Sequence, residues 1–237
     1  RDSSTSRGLG DVYKRQVYTN LTCDANLLTF KKLAKMYEVP IFAIDVPMQQ
    51  NEDNVQYVSD QLRKLKEFIE ECTGKKITDE ALTERLRRSK RTLEKFAQYE
   101  KESADKYVPA DLVTPLYVGM TNNLLLGTKE EEDYVDRLLK DVKNAPAKKG
   151  KKIYWMHTIP FWSDAVKNEL CFQEKAQIVG CELSRVCEPD FDPEKPYEAM
   201  ARRMVYHALN GSATRRIEAG IRPVSYTHLT LPTICSV

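Results

Sequence analysis

The chain has 237 residues, enough for one large domain or two ordinary ones. Hydrophobic residues make up 41% and charged residues 30%, which suits a soluble globular protein with a real core. A net charge of +2 gives no reason to expect nucleic acid as a partner, and no apolar run is long enough for a membrane helix.

Residues 1–16, RDSSTSRGLGDVYKRQ, mix Ser, Gly, Arg and Lys without periodicity, and residues 223–237, PVSYTHLTLPTICSV, fit no helical pattern. Both read as foreign-looking tails, similar to translated adaptor sequence. The natural protein is therefore expected to extend past both ends, and His228 and Cys235 carry no functional weight.

Between the tails, VYTNLT (17–22) is β-branched and aromatic enough for a short strand. Residues 24–37 predict a helix, with Leu27, Leu28, Phe30, Leu33, Ala34 and Tyr37 on one broad face. Pro40 marks its exit and IFAID (41–45) is a second strand, so the segment predicts a βαβ unit with a parallel sheet. Val55, Val58, Leu62, Leu65, Ile69 and Cys72 step by three or four residues, an amphipathic helix ended by Gly74. Thr78 can cap the next helix, which runs to about Lys106. Residues 110–126 are apolar and helical in pattern, and Thr128 with Glu131 forms a capping-box signature for a helix to about Asn144.

The polar stretch APAKKGKK (145–152) is a linker with Pro and Gly, and IYWM (153–156) starts a second α/β unit. A helix over about 163–173, a strand near 177–180 and a helix over 196–209 with Asn210–Gly211 as its cap continue it, and 212–221 starts one more helix that then breaks off. The fold class is α/β: Rossmann-like parallel-sheet units with a helical insertion, truncated at both ends. The expected domains are the end of a first α/β domain (17–50), a helical insertion (51–145) and the start of a second α/β domain (146–222).

Six cysteines are present: Cys23, Cys72, Cys171, Cys181, Cys187 and Cys235. With no export signal, the expected location is the cytoplasm, where cysteines are buried hydrophobes or metal ligands more often than disulfides. The chain has no CxxC pair and no close Cys/His cluster, which argues against a zinc ribbon or a ferredoxin-type run. The spacings of Cys171, Cys181 and Cys187 match no compact metal pattern either.

Ligands of open parallel sheets bind beyond the carboxyl ends of the strands. Three segments fall there: Thr22-Cys23-Asp24, Asp45-Val46-Pro47 and His157-Thr158-Ile159-Pro160. Cys23 opens a helix, whose positive end favours a thiolate, the form an iron–sulfur cluster needs. The residues alone leave it open between that role and a small buried side chain at a tight turn. His157 is a weak catalytic candidate: it either donates a hydrogen bond to a carbonyl or phosphate or bonds backbone in its own turn. Asp24 reads as a helix cap rather than a catalytic group, Asp45 either touches substrate or, the preferred reading, caps its strand turn, and Trp155 and Trp162 read as core or wall residues.

The stretch TNLTCDANLLTFKKLAKMYEVPIFAIDVP (19–47) resembles the 2-hydroxyacyl-CoA dehydratase family, which includes 2-hydroxyglutaryl-CoA dehydratase and benzoyl-CoA reductase subunits. IYWMHTIPFW (153–162) is similar to the family's second-domain opening strand, and EKPYEAMARRMVYHALNGSATRRIE (194–218) to its later helices. The resemblance implies a [4Fe–4S] cluster held by three cysteines per subunit, of which Cys23 matches the middle one. The segments carrying the other two are not in this chain, so the chain by itself is not expected to hold the cluster stably or to be active alone. It also implies loss of water from an (R)-2-hydroxyacyl-CoA through a ketyl radical. The implied partners are a second dehydratase subunit in a heterodimer, an ATP-dependent iron–sulfur activator protein and the acyl-CoA substrate. A benzoyl-CoA reductase-type subunit and a non-catalytic electron-relay or scaffold subunit are the alternatives.

Overall fold

The computed structural model describes residues 15–21, 25–156, 159–182 and 190–226. Their contacts divide the chain into two units, Arg1–Leu82 with Glu194–Ser212 and Thr83–Pro193 with Ala213–Val237.

In the first unit, strand β1 (Gln16–Thr19) pairs in parallel with β2 (Ile41–Ile44), and helix α1 (Ala25–Tyr37) lies between them in sequence. The register runs Gln16 to Ile41 through Thr19 to Ile44 without a shift, so the expected βαβ unit with a parallel strand pair is present. Gln16, placed in the tail on composition, is the first residue of β1 and is buried. The buried face of α1 is narrower than its periodicity suggests. Ala34 is buried, and the Phe30 ring lies 5.5 Å from that of Tyr18, whereas Leu28 and Tyr37 are exposed.

Helix α2 (Glu52–Thr73) starts where the Asn51 side chain accepts from the Asn54 N–H at 2.8 Å. It stops at Gly74, whose φ of 67° is a left-handed conformation that costs glycine little. Its buried Val55, Val58 and Leu62 meet Tyr197, Ala201 and Val205 of α7 (Pro196–Val205), and Ile44 and Val46 complete this core. The Arg63 guanidinium lies 4.2 Å from the centre of the Tyr197 ring, and the Tyr197 hydroxyl donates to Asp79 at 2.7 Å. Helix α7 ends at Val205, short of the expected 209. Its cap is Tyr206, not the expected Asn210–Gly211; Asn210 contributes through its side chain, whose Nδ2 donates to the Val205 carbonyl at 2.8 Å and to that of Pro47 at 3.0 Å.

Helix α3 (Asp79–Ser103) begins in the first unit, with Thr78 accepting from the Ala81 N–H at 3.2 Å, and continues in the second. There α4 (Thr114–Leu124) and α5 (Lys129–Asn144) follow it. Arg91 and Lys95 of α3 pair with Glu132 of α5 at 3.3 and 3.5 Å. Gly127 turns the chain into α5 with φ of 88°. A Cβ there would meet Ser89 Oγ at 2.9 Å and the Arg85 carbonyl at 3.0 Å, so two constraints select glycine.

The second parallel pair is β3 (Lys151–Trp155) with β4 (Ala176–Cys181), joined through α6 (Asp164–Leu170). Its register shifts between Ile153 and Tyr154. Leu112, Ile159, Ile178 and Cys181 form its core. The polar stretch before β3 is tied down: Lys148 N donates to the Asp105 carbonyl at 2.9 Å and Tyr107 N to that of Pro146 at 2.8 Å. Helix α8 (Ala213–Tyr226) continues past residue 222 into the segment read as a tail.

Candidate functional site

Parallel pairing puts the carboxyl ends of β1 and β2 side by side, and a web of side chains joins the two segments that leave there. Asn20, just past β1, donates through Nδ2 to Asp45 Oδ1 at 2.6 Å and accepts from the Val46 N–H at 2.7 Å. The Tyr57 hydroxyl, from α2, donates to Asp45 Oδ2 at 3.1 Å. Gln61 reads the backbone of Asp45 with both ends of its amide: it accepts from the N–H and donates to the carbonyl, each at 2.8 Å. The hydrogen bond to Asp45, and then its charge, holds the Tyr57 phenol above its ordinary value.

Asp45 is exposed, yet both its carboxylate oxygens and its backbone already have partners. It closes the strand turn, as the sequence suggested, with far more partners than a local cap would need. The edge it builds is polar, and its side chains hydrogen-bond one another.

Cys23 and Asp24 lie outside the described residues, as do His157 and Thr158. Ile159, two positions beyond His157, is buried at 2% exposure in the second unit's core. Trp155 packs against that core, whereas Trp162 is exposed with the Phe161 ring edge-on to it at 5.2 Å, which corrects its reading as a core or wall residue. Cys181 is buried, Cys171 packs beside the same core, and Cys187 and Cys235 lie outside the described residues. The sulfurs of Cys171 and Cys181 act as small core groups.

Among the described residues no group of three or more His, Cys, Asp or Glu side chains could hold a metal ion. They supply no ligand set for an iron–sulfur cluster. None of their helices is long and apolar enough to cross a membrane.

Sequence reasoning missed a set of buried polar groups in the second unit. Glu131 does accept the expected cap, its N–H donating to Thr128 Oγ1 at 3.2 Å. Its carboxylate, however, is fully buried with neither oxygen hydrogen-bonded, and burial pushes it up to about 7. The side chains of Thr92 and Asn122 are fully buried without hydrogen-bond partners too. Lys148, in the stretch read as a linker, is pushed down to about 8, first by burial and then by the charge of Lys152. Thr92, Glu131 and Lys148 sit in stretches whose own pattern is that of a solvated helix or loop, and Asn122 is a polar residue within an apolar helical stretch.

The family described as 2-hydroxyglutaryl-CoA dehydratase, D-component, matches residues 10–224. No curated protein matches the chain. The family match runs through both parallel strand pairs and seven of the helices into the eighth, so the α/β order built above and the motifs at 19–47, 153–162 and 194–218 fall inside it. The chain belongs to the 2-hydroxyglutaryl-CoA dehydratase D-component family.

Proposed function

We propose that the chain serves as a subunit of an iron–sulfur 2-hydroxyacyl-CoA dehydratase, which removes water from an (R)-2-hydroxyacyl-CoA through a ketyl radical of the thioester. The observation that carries this reading is family membership over residues 10–224. The edge built by Asn20, Asp45, Tyr57 and Gln61 supports it, because Cys23 falls in the segment that leaves that edge for α1. In this reading Cys23 supplies one thiolate to a [4Fe–4S] cluster, the other two cysteines come from outside this chain, and the start of α1 stabilises the sulfur's charge. The β-hydrogen of the substrate is not acidic, and the bound cluster supplies the one-electron chemistry that ordinary acid–base groups cannot. His157, beyond β3, is assigned to hydrogen-bond the thioester carbonyl.

The partners are a second dehydratase subunit and an ATP-dependent iron–sulfur activator, and the setting is an anaerobic cytoplasm. The domain order is the end of one α/β domain (17–50), a helical insertion (51–145) and the start of another (146–222).

The test is anaerobic assay of the protein with its partner subunit, its activator and ATP. Conversion of (R)-2-hydroxyglutaryl-CoA to the enoyl-CoA is the expected result. Reduction of the ring of benzoyl-CoA with no water loss would instead identify a reductase subunit. Neither reaction, with cluster loading intact, would reduce the role to electron relay or scaffold.

A further inference from the structure

In the second unit a cavity of ≈ 50 Å³ is walled by Phe96, Tyr99, Val108 and Val118. One water needs about 10–15 Å³ on this measure, so there is room for a short acyl group. Two polar groups on its wall are poorly served. Gln177 is 8% exposed; its Nε2 donates to the Val108 carbonyl, and its Oε1 has no donor. The Lys148 ammonium has one hydrogen bond, to the Ser103 carbonyl at 3.4 Å, and no ion pair among the described residues.

The charged and titratable groups nearby are Tyr99 and Glu100 on α3, Asp105 after it, and Lys152 on β3. Asp105 favours the charged form of Lys148 but is itself held by Lys152 at 2.5 Å. Burial and the Lys152 charge outweigh it and push Lys148 down to about 8. A lysine desolvated beside another cation is the usual way a protein makes an amine nucleophilic near neutral pH.

We propose that Lys148 is a self-acylation site that takes the acyl group of an acyl-CoA thioester. The proposal rests on the reading that this protein meets acyl-CoA. In the step, the lone pair of the uncharged amine adds to the thioester carbonyl. The C–N bond forms and the C–S bond breaks. Coenzyme A leaves as the thiolate and takes up the proton that the nitrogen releases, so no oxidant or reductant is needed. The product suits the cavity better than the reactant does. A neutral amide replaces a desolvated ammonium, and the acyl chain fills empty space.

The test is incubation of the full chain with acetyl-CoA, and separately with a small activated acetyl ester, over about pH 6.5 to 9.5. Peptide mass spectrometry then compares Lys148 with its exposed neighbour Lys149. Both reagents are expected to label Lys148 at least about tenfold faster than Lys149 near pH 7.5, with a rate that levels off around pH 8. Equal labelling of the two lysines, or selective labelling by the small ester alone, would overturn the proposal. Neither result bears on the dehydratase reading, which is judged by water loss and iron.

Discussion

The exposed edge beyond β1 and β2 and the buried interior of the second unit treat polar groups in opposite ways. Around β1 and β2, Asn20, Asp45, Tyr57 and Gln61 stand at an exposed edge and satisfy one another. In the unit of β3 and β4, Glu131, Asn122 and Gln177 are buried and hold atoms with no partner. Water would screen the first set and compensate any lost bond. The second set has no such reserve, and Glu131, its one ionisable member, responds by holding its proton. A sheet edge that must hold its shape calls for the first arrangement, while groups whose charge or reactivity is tuned come from the second.

The largest effect is expected at Glu131. Its carboxyl sits at about 7 in the folded chain against an ordinary 4.5, so the folded state keeps a proton that the unfolded state releases first. Stability should therefore fall as pH rises from about 4.5 to about 7, with a slope of at most about 1.4 kcal/mol per pH unit. Glu131→Gln is expected to remove that slope and to be the more stable protein by about 2 kcal/mol above pH 7. Urea unfolding at pH 5 and pH 8 measures both. A variant that loses stability with pH as steeply as the parent would show that Glu131 is not the group responsible.

A smaller effect is expected on the satisfied side. Gln61→Ala removes two hydrogen bonds to the Asp45 backbone and should cost about 1–2 kcal/mol, independent of pH between 5 and 8. Gln61→Glu keeps an acceptor for the Asp45 N–H but offers no donor to its carbonyl, and its loss should fall between those of the parent and the alanine variant. If Gln61→Ala unfolds with a marked pH dependence, the contrast between the two regions fails.

Much of the fold could be read from local pattern. The step of Val55, Val58 and Leu62 places the buried face of α2, and Asn51 and Gly74 bound it with cap chemistry that depends on a few adjacent residues. The two parallel strand pairs follow from strand–helix–strand order. The candidate site was legible only as a position, the end of a strand. Its partners Tyr57 and Gln61 come from α2, where they look like ordinary residues of an amphipathic helix. Glu131 shows the same limit, since a capping box predicts its backbone bond but not the burial of its carboxylate. Lys148 is clearer still: a Lys-rich stretch reads as solvent-exposed, and only its long-range tie to Asp105 and the cavity beside it desolvate the amine.

The proposed cluster depends on Cys23, which lies between β1 and α1 in the sequence. The most direct measurement is the iron content of the anaerobically purified protein, with its partner subunit present, for the parent and for Cys23→Ser. The account predicts that the variant loses the iron assigned to this subunit while its cooperative unfolding is kept. Full retention of that iron in Cys23→Ser would contradict it.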